Sequence, residues 1–241
     1  MPFTFSHPAI VLPGKYLPAG LVSMTGLIIG STTPDFEYFL RMRSLSLYSH
    51  TWTGMLWFDL PLAFVLTFVY HGLVRDALLS NLPLFLRKRL LKFKGFDWNG
   101  YVRKHFVIVL VSLLIGIASH ILWDGFTHRQ GQFVKAIPWL KENAMLIGVG
   151  YSRFYVLQNI STFVGGIVVL IAILRLPAES VAPQKGIIEY WLIAACITSV
   201  VVAIRLFTSF EYRDIDDLAV PLISAGLCAV IITPLIVSPK T

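Results

Sequence analysis

Charged side chains are what this chain has least of, at 14% of its 241 residues against 56% hydrophobic ones and a mean hydropathy of +0.73. Soluble domains carry about 25% charged and 45–50% apolar residues, so that class is excluded and an integral membrane protein is expected. Cysteine is nearly absent too. Cys196 and Cys228 both fall in apolar runs, where a small thiol behaves as a buried hydrophobe, and two such residues imply neither a disulfide framework nor a thiolate-rich metal site. No G-x-S-x-G, H-E-x-x-H or Gly-rich phosphate loop occurs, so the familiar serine-hydrolase, zincin and P-loop designs have no foothold. Internal repeats and low-complexity tracts are missing as well. The one Pro-rich connector is Pro177 to Gly186, and the chain reads as a single integral membrane domain, 1–241, with a motif-bearing region over 1–140 and spans over 151–241. Met1 to Ser6 has no basic stretch of the kind that opens a secretory signal, so the N-terminus is expected to be retained.

What the chain does have is long apolar runs. Gly54 to Val74, His105 to Trp123, Phe154 to Leu174, Ile188 to Phe207 and Leu218 to Val237 each approach the roughly 20 residues that a hydrocarbon core requires. Leu17 to Ser31, at about 15 residues, is as compatible with a half-helix or re-entrant piece as with a span. The fold class predicted is an all-α polytopic transmembrane bundle of five to six spans, with short or re-entrant N-terminal helices. The net charge of +7 concentrates between the first two long runs, where Arg75, Arg87, Lys88, Arg89, Lys92, Lys94, Arg103 and Lys104 face only Asp76 and Asp97. The positive-inside rule puts that loop in the cytoplasm. A basic loop without any recognition motif reads as a surface touching anionic headgroups, and no nucleic-acid partner is expected.

The polar residues that remain fall in a pattern. Ser119-His120-Ile121-Leu122-Trp123-Asp124 closes an apolar run, and residues four apart share a helix face, so His120 and Asp124 project an imidazole and a carboxylate toward one point. With the basic loop inside, the helix after His50 and the helix ending in His120/Asp124 run in opposite directions, and their candidate ends meet at the outer face. Asp35 follows Pro34, where proline is expected to end a helix and leave a carboxylate at its mouth. His7 reaches the same rim only if Pro8 to Leu12 and Leu17 to Ser31 form a hairpin of half-helices, which Pro13-Gly14 and Pro18 permit. The candidate set is therefore His7, Asp35, His50, His120 and Asp124. Imidazole and carboxylate together suit zinc, with manganese or iron as alternatives.

His71 and His105 sit at the opposite ends of their spans and read as structural residues, while His128, four past Asp124, is intermediate. Glu37 is a weak candidate to support the site from outside it. The loop Gly125 to Gly150, with an interfacial helix near Pro138-Trp139-Leu140, is placed to roof the site. The acidic group Glu211, Asp214, Asp216 and Asp217 does not have EF-hand spacing and reads as a solvated loop.

The sequence resembles a bacterial membrane family, domain-of-unknown-function family 4184, over about residues 1–140. The resemblance is carried by the opening MPFTFSHPA, Pro34-Asp35, His50-Thr-Trp-Thr-Gly54, Phe58 to Pro61, and the SHxLWDxFTH pattern of Ser119 to His128. More distantly, the order of these residues is similar to that of inner-membrane proteins predicted to be metal-dependent hydrolases and of the zinc-dependent phospholipase C group. That likeness implies one zinc on Asp35, His50, His120 and Asp124, and a second held in part by His7 and sharing Asp124. The phospholipase group's further downstream His ligands have no counterpart after His128. The expected function is a metal-dependent hydrolase of the bacterial inner membrane acting on a phosphoester of a lipid or lipid-linked substrate, with Asp35 either a ligand or the general base. The rival is a non-catalytic transporter, scramblase or assembly factor with a structural polar cluster.

Overall fold

The computed structural model describes residues 3–18, 20–146, 148–209 and 216–237. Glu211 and Asp214 of the acidic group lie outside them, as do Met1 and Pro2. The described chain is almost wholly helical, and five helical stretches are long and apolar enough to cross a membrane: Met55–Asn81, Trp98–Ala136, Arg153–Leu174, Ile187–Thr208 and Leu218–Ile236. It is a multi-pass membrane protein with the predicted number of spans at its lower bound. The departure from an all-helical chain is a short antiparallel hairpin, β1 (Asn143–Leu146) paired with β2 (Val149–Ser152), closed through Gly148 at φ +78°. Such a turn favours glycine, and the reading of Gly125 to Gly150 as helix and loop missed it.

The N-terminal run does not span. It is divided among a 3-10 turn at Thr4–Ser6, α1 (Pro8–Val11), a second 3-10 turn at Leu12–Tyr16, α2 (Met24–Thr32) and a third at Thr33–Asp35. A nine-residue helix rises about 14 Å, half of a hydrocarbon core, so this is the short-helix arrangement that the sequence allowed. Pro34 does not end the helical path: the chain passes through its turn directly into α3 (Phe36–Arg41).

Two compact units account for the chain. The first comprises Met1–Asp35, Tyr48–Phe64 and Val102–Ala172. Its axis is α7 (Trp98–Thr127), which buries Val109, Leu113, Ile117 and Ile121 along one face and continues that face into His120 and Asp124. Against it lies α2, whose Gly26-x-x-x-Gly30 pair lets the two backbones approach. A Cβ on Gly30 would stand 2.3 Å from the Leu113 carbonyl oxygen, and one on Gly116 2.4 Å from that of Leu27. Ser23 caps α2 by accepting from Gly26 N–H at 3.2 Å, and its own N–H donates to Ser112 Oγ at 2.8 Å. The N-terminal turn is docked on α10 (Arg153–Leu174), where Phe3 N–H donates to Thr162 Oγ1 at 3.1 Å and Ser6 Oγ to the Thr162 carbonyl at 2.8 Å.

The second unit comprises Phe36–Leu47, Val65–Tyr101 and Ile173–Thr241. The first span changes pitch twice, with π-helical turns at Met55–Asp59 and Tyr70–Val74 flanking α4 (Leu60–Val69), and ends in α5 (Arg75–Asn81). Arg75, at the second of these turns, is buried and reaches His71 Nδ1 and the Phe96 carbonyl at 2.7 Å each, while the His71 ring stacks on Trp98 at 4.5 Å. The Trp98 indole donates to Thr67 Oγ1 at 3.0 Å. On α6 (Leu84–Leu90), Arg87 donates to the Ala182 carbonyl and Arg89 to that of Leu174. Helices α11 (Ile187–Ser209) and α12 (Asp216–Ile236) complete this unit. Cys196 and Cys228 are free thiols on the outer surfaces of these two helices, correcting their expected burial.

Candidate metal centre

Each candidate side chain reaches the site for a local reason. His120 and Asp124 lie one turn apart on α7, with His120 Nε2 3.2 Å from Asp124 Oδ2. Asp35 leaves the 3-10 turn that ends α2. His50 sits in a tight turn at φ +60°, a left-handed conformation that is uncommon outside glycine and is enriched at functional sites. The turn is held by Thr51 Oγ1 donating to the Tyr48 carbonyl at 2.9 Å and accepting from Gly54 N–H at 2.9 Å. Gly54 is required there, because a Cβ would stand 1.8 Å from the Tyr48 carbonyl oxygen.

Four ligand atoms converge: Asp35 Oδ1, His50 Nε2, His120 Nε2 and Asp124 Oδ2. The two imidazole nitrogens are 3.3 Å apart; His50 Nε2 is 3.3 Å from Asp35 and 3.4 Å from Asp124, and His120 Nε2 3.5 Å and 3.2 Å from the same pair. A tetrahedral ion with bonds of about 2.0–2.1 Å requires ligand–ligand edges of about 3.3–3.4 Å. Five of the six edges match that spacing, and the four donors all lie within 4.8 Å of one another.

The donors are also prepared chemically. His120 Nδ1 is 2.7 Å from the Ser31 carbonyl, which can only accept, so Nδ1 carries the proton and Nε2 presents a lone pair. His50 Nδ1 is likewise engaged, 3.0 Å from Ser49 Oγ. Asp35 and His120 are fully buried, and neither carboxylate oxygen of Asp35 or Asp124 has a hydrogen-bond partner. Buried carboxylates without donors are costly, and a cation at the convergence point is the group that satisfies all four at once. This buried cluster can hold a metal ion.

His7 stands on the other side of Asp124. Its Nε2 is 3.5 Å from Asp124 Oδ1, and its ring stacks on His120 with centroids 3.7 Å apart. Burial, and then the neighbouring His120, holds the His7 imidazole down at about 3, so it is neutral and a competent donor. Burial acts on Asp35 in the opposite sense, yet the imidazoles of His120 and His50 hold its carboxyl below the ordinary carboxylate range. His50 is raised: burial pulls it down, and the Asp124 and Asp35 carboxylates outweigh that pull.

All five sequence-predicted residues thus belong to one cluster within the first unit. His128 joins them through Nδ1, 3.5 Å from Asp124 Oδ1, on the turn that extends α7 beyond the expected end at Trp123. Its spacing of four from Asp124 was the available signal. His71 and His105 stay outside: the former stacks on Trp98, and the latter lies at a non-helical kink in α7 (φ −128°, ψ 31°). Glu37 is buried and occupied within its own turn, accepting from Arg41, Ser46 Oγ at 3.1 Å and Leu47 N–H at 2.9 Å.

The model of the family described as "Domain of unknown function (DUF4184)" matches residues 1–235. The chain belongs to that family. The DUF4184 match runs well past residue 140, where the motif resemblance stopped, and so takes in the C-terminal spans. No curated protein and no solved structure matches. In this DUF4184 chain, sequence reasoning missed two supports of the site: the Ser31 carbonyl behind His120, and the Gly26, Gly30 and Gly116 contacts that bring it there. The G-x-x-x-G spacing was visible; which helix it faced was not.

Proposed function

We propose that this chain is a membrane-embedded metal-dependent hydrolase that cleaves a phosphoester of a lipid or lipid-linked substrate. The observation that carries the reading is the near-tetrahedral convergence of Asp35, His50, His120 and Asp124, with the tautomer of His120 set by Ser31. Zinc is the preferred ion, because two imidazoles and two carboxylates at these separations suit its bond lengths; manganese and iron accept the same donors. Such an ion, when bound, polarises a phosphoryl oxygen and acidifies a water.

The roles of the residues follow from their environments. His50, His120 and Asp124 hold the ion. Asp35, ionised and without a hydrogen-bond donor, either completes the ligand set or takes the proton of the attacking water at Oδ1. His7 abuts the far oxygen of Asp124 and restrains that carboxylate. The basic residues between the first two spans support an orientation with this site at the outer face of a bacterial inner membrane.

A closed set of four protein ligands is also what a purely structural ion would use, and that observation favours the second reading, a non-catalytic membrane protein braced by a metal. Metal analysis of detergent-purified protein, with His120→Ala and Asp124→Ala, and a phosphoester and lipid turnover panel separate them. Bound metal that both variants lose, with metal-dependent turnover, is the expected result. No metal in the wild type overturns the site; bound metal without turnover selects the second reading.

A further inference from the structure

We propose that the segment following His128 forms a binding cleft for the phosphate of an anionic lipid headgroup. A cavity of about 520 Å³ lies in the first unit, lined by Arg129, Gln130, Lys135, Lys141, Ser152 and Phe154. That volume is in the range of small-molecule sites, about 300–1,000 Å³. Three of the six residues are cationic. Arg129, Lys135 and Lys141 make no ion pair among the described residues, and none donates a side-chain hydrogen bond there.

The local acid does not neutralise them. Between Asp124 and Glu179 the sequence has one carboxylate, Glu142. It is taken by Arg153, which also donates to the Trp139 carbonyl at 3.1 Å and stacks on the Trp139 ring at 4.6 Å. Three positive charges around one concavity therefore call for an anion from outside. A phosphate fits best, since a guanidinium forks onto two of its oxygens and the ammonium groups serve as point charges.

The surroundings identify the source of that phosphate as lipid. The same segment exposes Trp139, Met145, Val149 and Tyr151, the mixture of aromatic and aliphatic groups found where protein meets the headgroup layer. The cleft is also fastened to the metal centre. Gly131 N–H donates to the His128 carbonyl at 2.8 Å, folding α8 (Gln132–Ala136) back on the end of α7, and Trp52, two residues beyond His50, donates to Gln132 Oε1 at 3.2 Å. Arg129 is the residue after His128, which contacts Asp124. As a clamp for the substrate of that centre, the cleft rests on the hydrolase reading; as a lipid site it does not.

The test is binding, measured by titration calorimetry on the detergent-purified full chain. The probes are dihexanoyl-phosphatidylglycerol, its phosphatidylcholine counterpart and inorganic phosphate. Phosphatidylglycerol is expected to bind at least tenfold more tightly than either of the others. R129Q/K135Q/K141Q is expected to weaken it at least tenfold, each single variant by about threefold, and the control K88Q/R89Q/K92Q by less than twofold. Loss of binding in the control but not in the cleft variant overturns the assignment, as does equal affinity for inorganic phosphate or for phosphatidylcholine. Arg129, Lys135 and Lys141 are exposed, so the single variants report even if the triple variant is poorly folded. Metal content read on the same samples keeps the proposals apart: a wild type that binds phosphatidylglycerol but no metal sustains the cleft and defeats the hydrolase.

Discussion

Gly116→Ala is expected to disable the metal centre without touching a ligand. The new methyl would start 2.4 Å from the Leu27 carbonyl oxygen, and real contacts of this kind stay beyond 3.0 Å, so α2 and α7 must part by about 0.6 Å. The neighbour is backbone and cannot turn aside. The hydrogen bond at stake is that between His120 Nδ1 and the Ser31 carbonyl, at 2.7 Å; the same displacement carries it to about 3.3 Å, outside the normal range. Overpacking of this order costs about 1–3 kcal/mol. Losing the group that orients a ligating histidine weakens metal affinity about 10- to 100-fold. Competition against a chromogenic chelator, on detergent-purified wild type, Gly116→Ala and Gly26→Ala, reads the effect. Gly26 is the internal control, since its methyl would meet the Ser112 side chain first, at 2.9 Å, and should cost about threefold or less. Gly116→Ala protein that stays folded and holds metal within twofold of wild type would refute the reasoning.

Other outcomes follow from the same contacts. Stripping the ion should lower the thermal midpoint, by the equivalent of about 2.7 kcal/mol when the free metal stood at 100 times its dissociation constant; an unchanged melting curve after chelation would argue against a native-state ion. His120→Ala should abolish binding, whereas His128→Ala, which removes a contact on the far oxygen of Asp124, should cost affinity about tenfold at most, the low end for an outer-shell partner. Thr67→Val should leave the Trp98 indole without its acceptor, destabilising the protein by about 1–3 kcal/mol while metal content stays at the wild-type value, as thermal unfolding and metal analysis would show together.

The spans were legible because a hydrocarbon core imposes a length that few other segments reach, and nine of the ten span ends fell within two turns of their predicted positions, the exception being the second span's end at Ala136. His120 and Asp124 were legible because helical spacing is local. His50 needed a topology argument, and His7 a conditional hairpin, because neither periodicity nor spacing links residue 7 to residue 124. The hairpin at 143–152 was hidden by its brevity, and the π-helical turns in the first span left no compositional trace. The Ser31 carbonyl was beyond reach for a deeper reason: a backbone oxygen has no sequence signature, and its role depends on a helix crossing that only three glycines announce.

The short N-terminal helices also bear on how the protein is made. During synthesis His7 emerges early, on a segment too short to settle across the bilayer, while its partner Asp124 stands 117 residues later on α7 and Thr162, on which Phe3 and Ser6 dock, later still on α10. At ribosomal speeds of about 5–20 residues per second, the N-terminal segment waits many seconds for the surfaces that receive it. The packing of His7 beside Asp124 is therefore completed late, after α10 has been made. On the proposed reading, loading with metal becomes a late step of membrane assembly, and a chain stalled before α10 leaves His7 exposed to quality-control proteases.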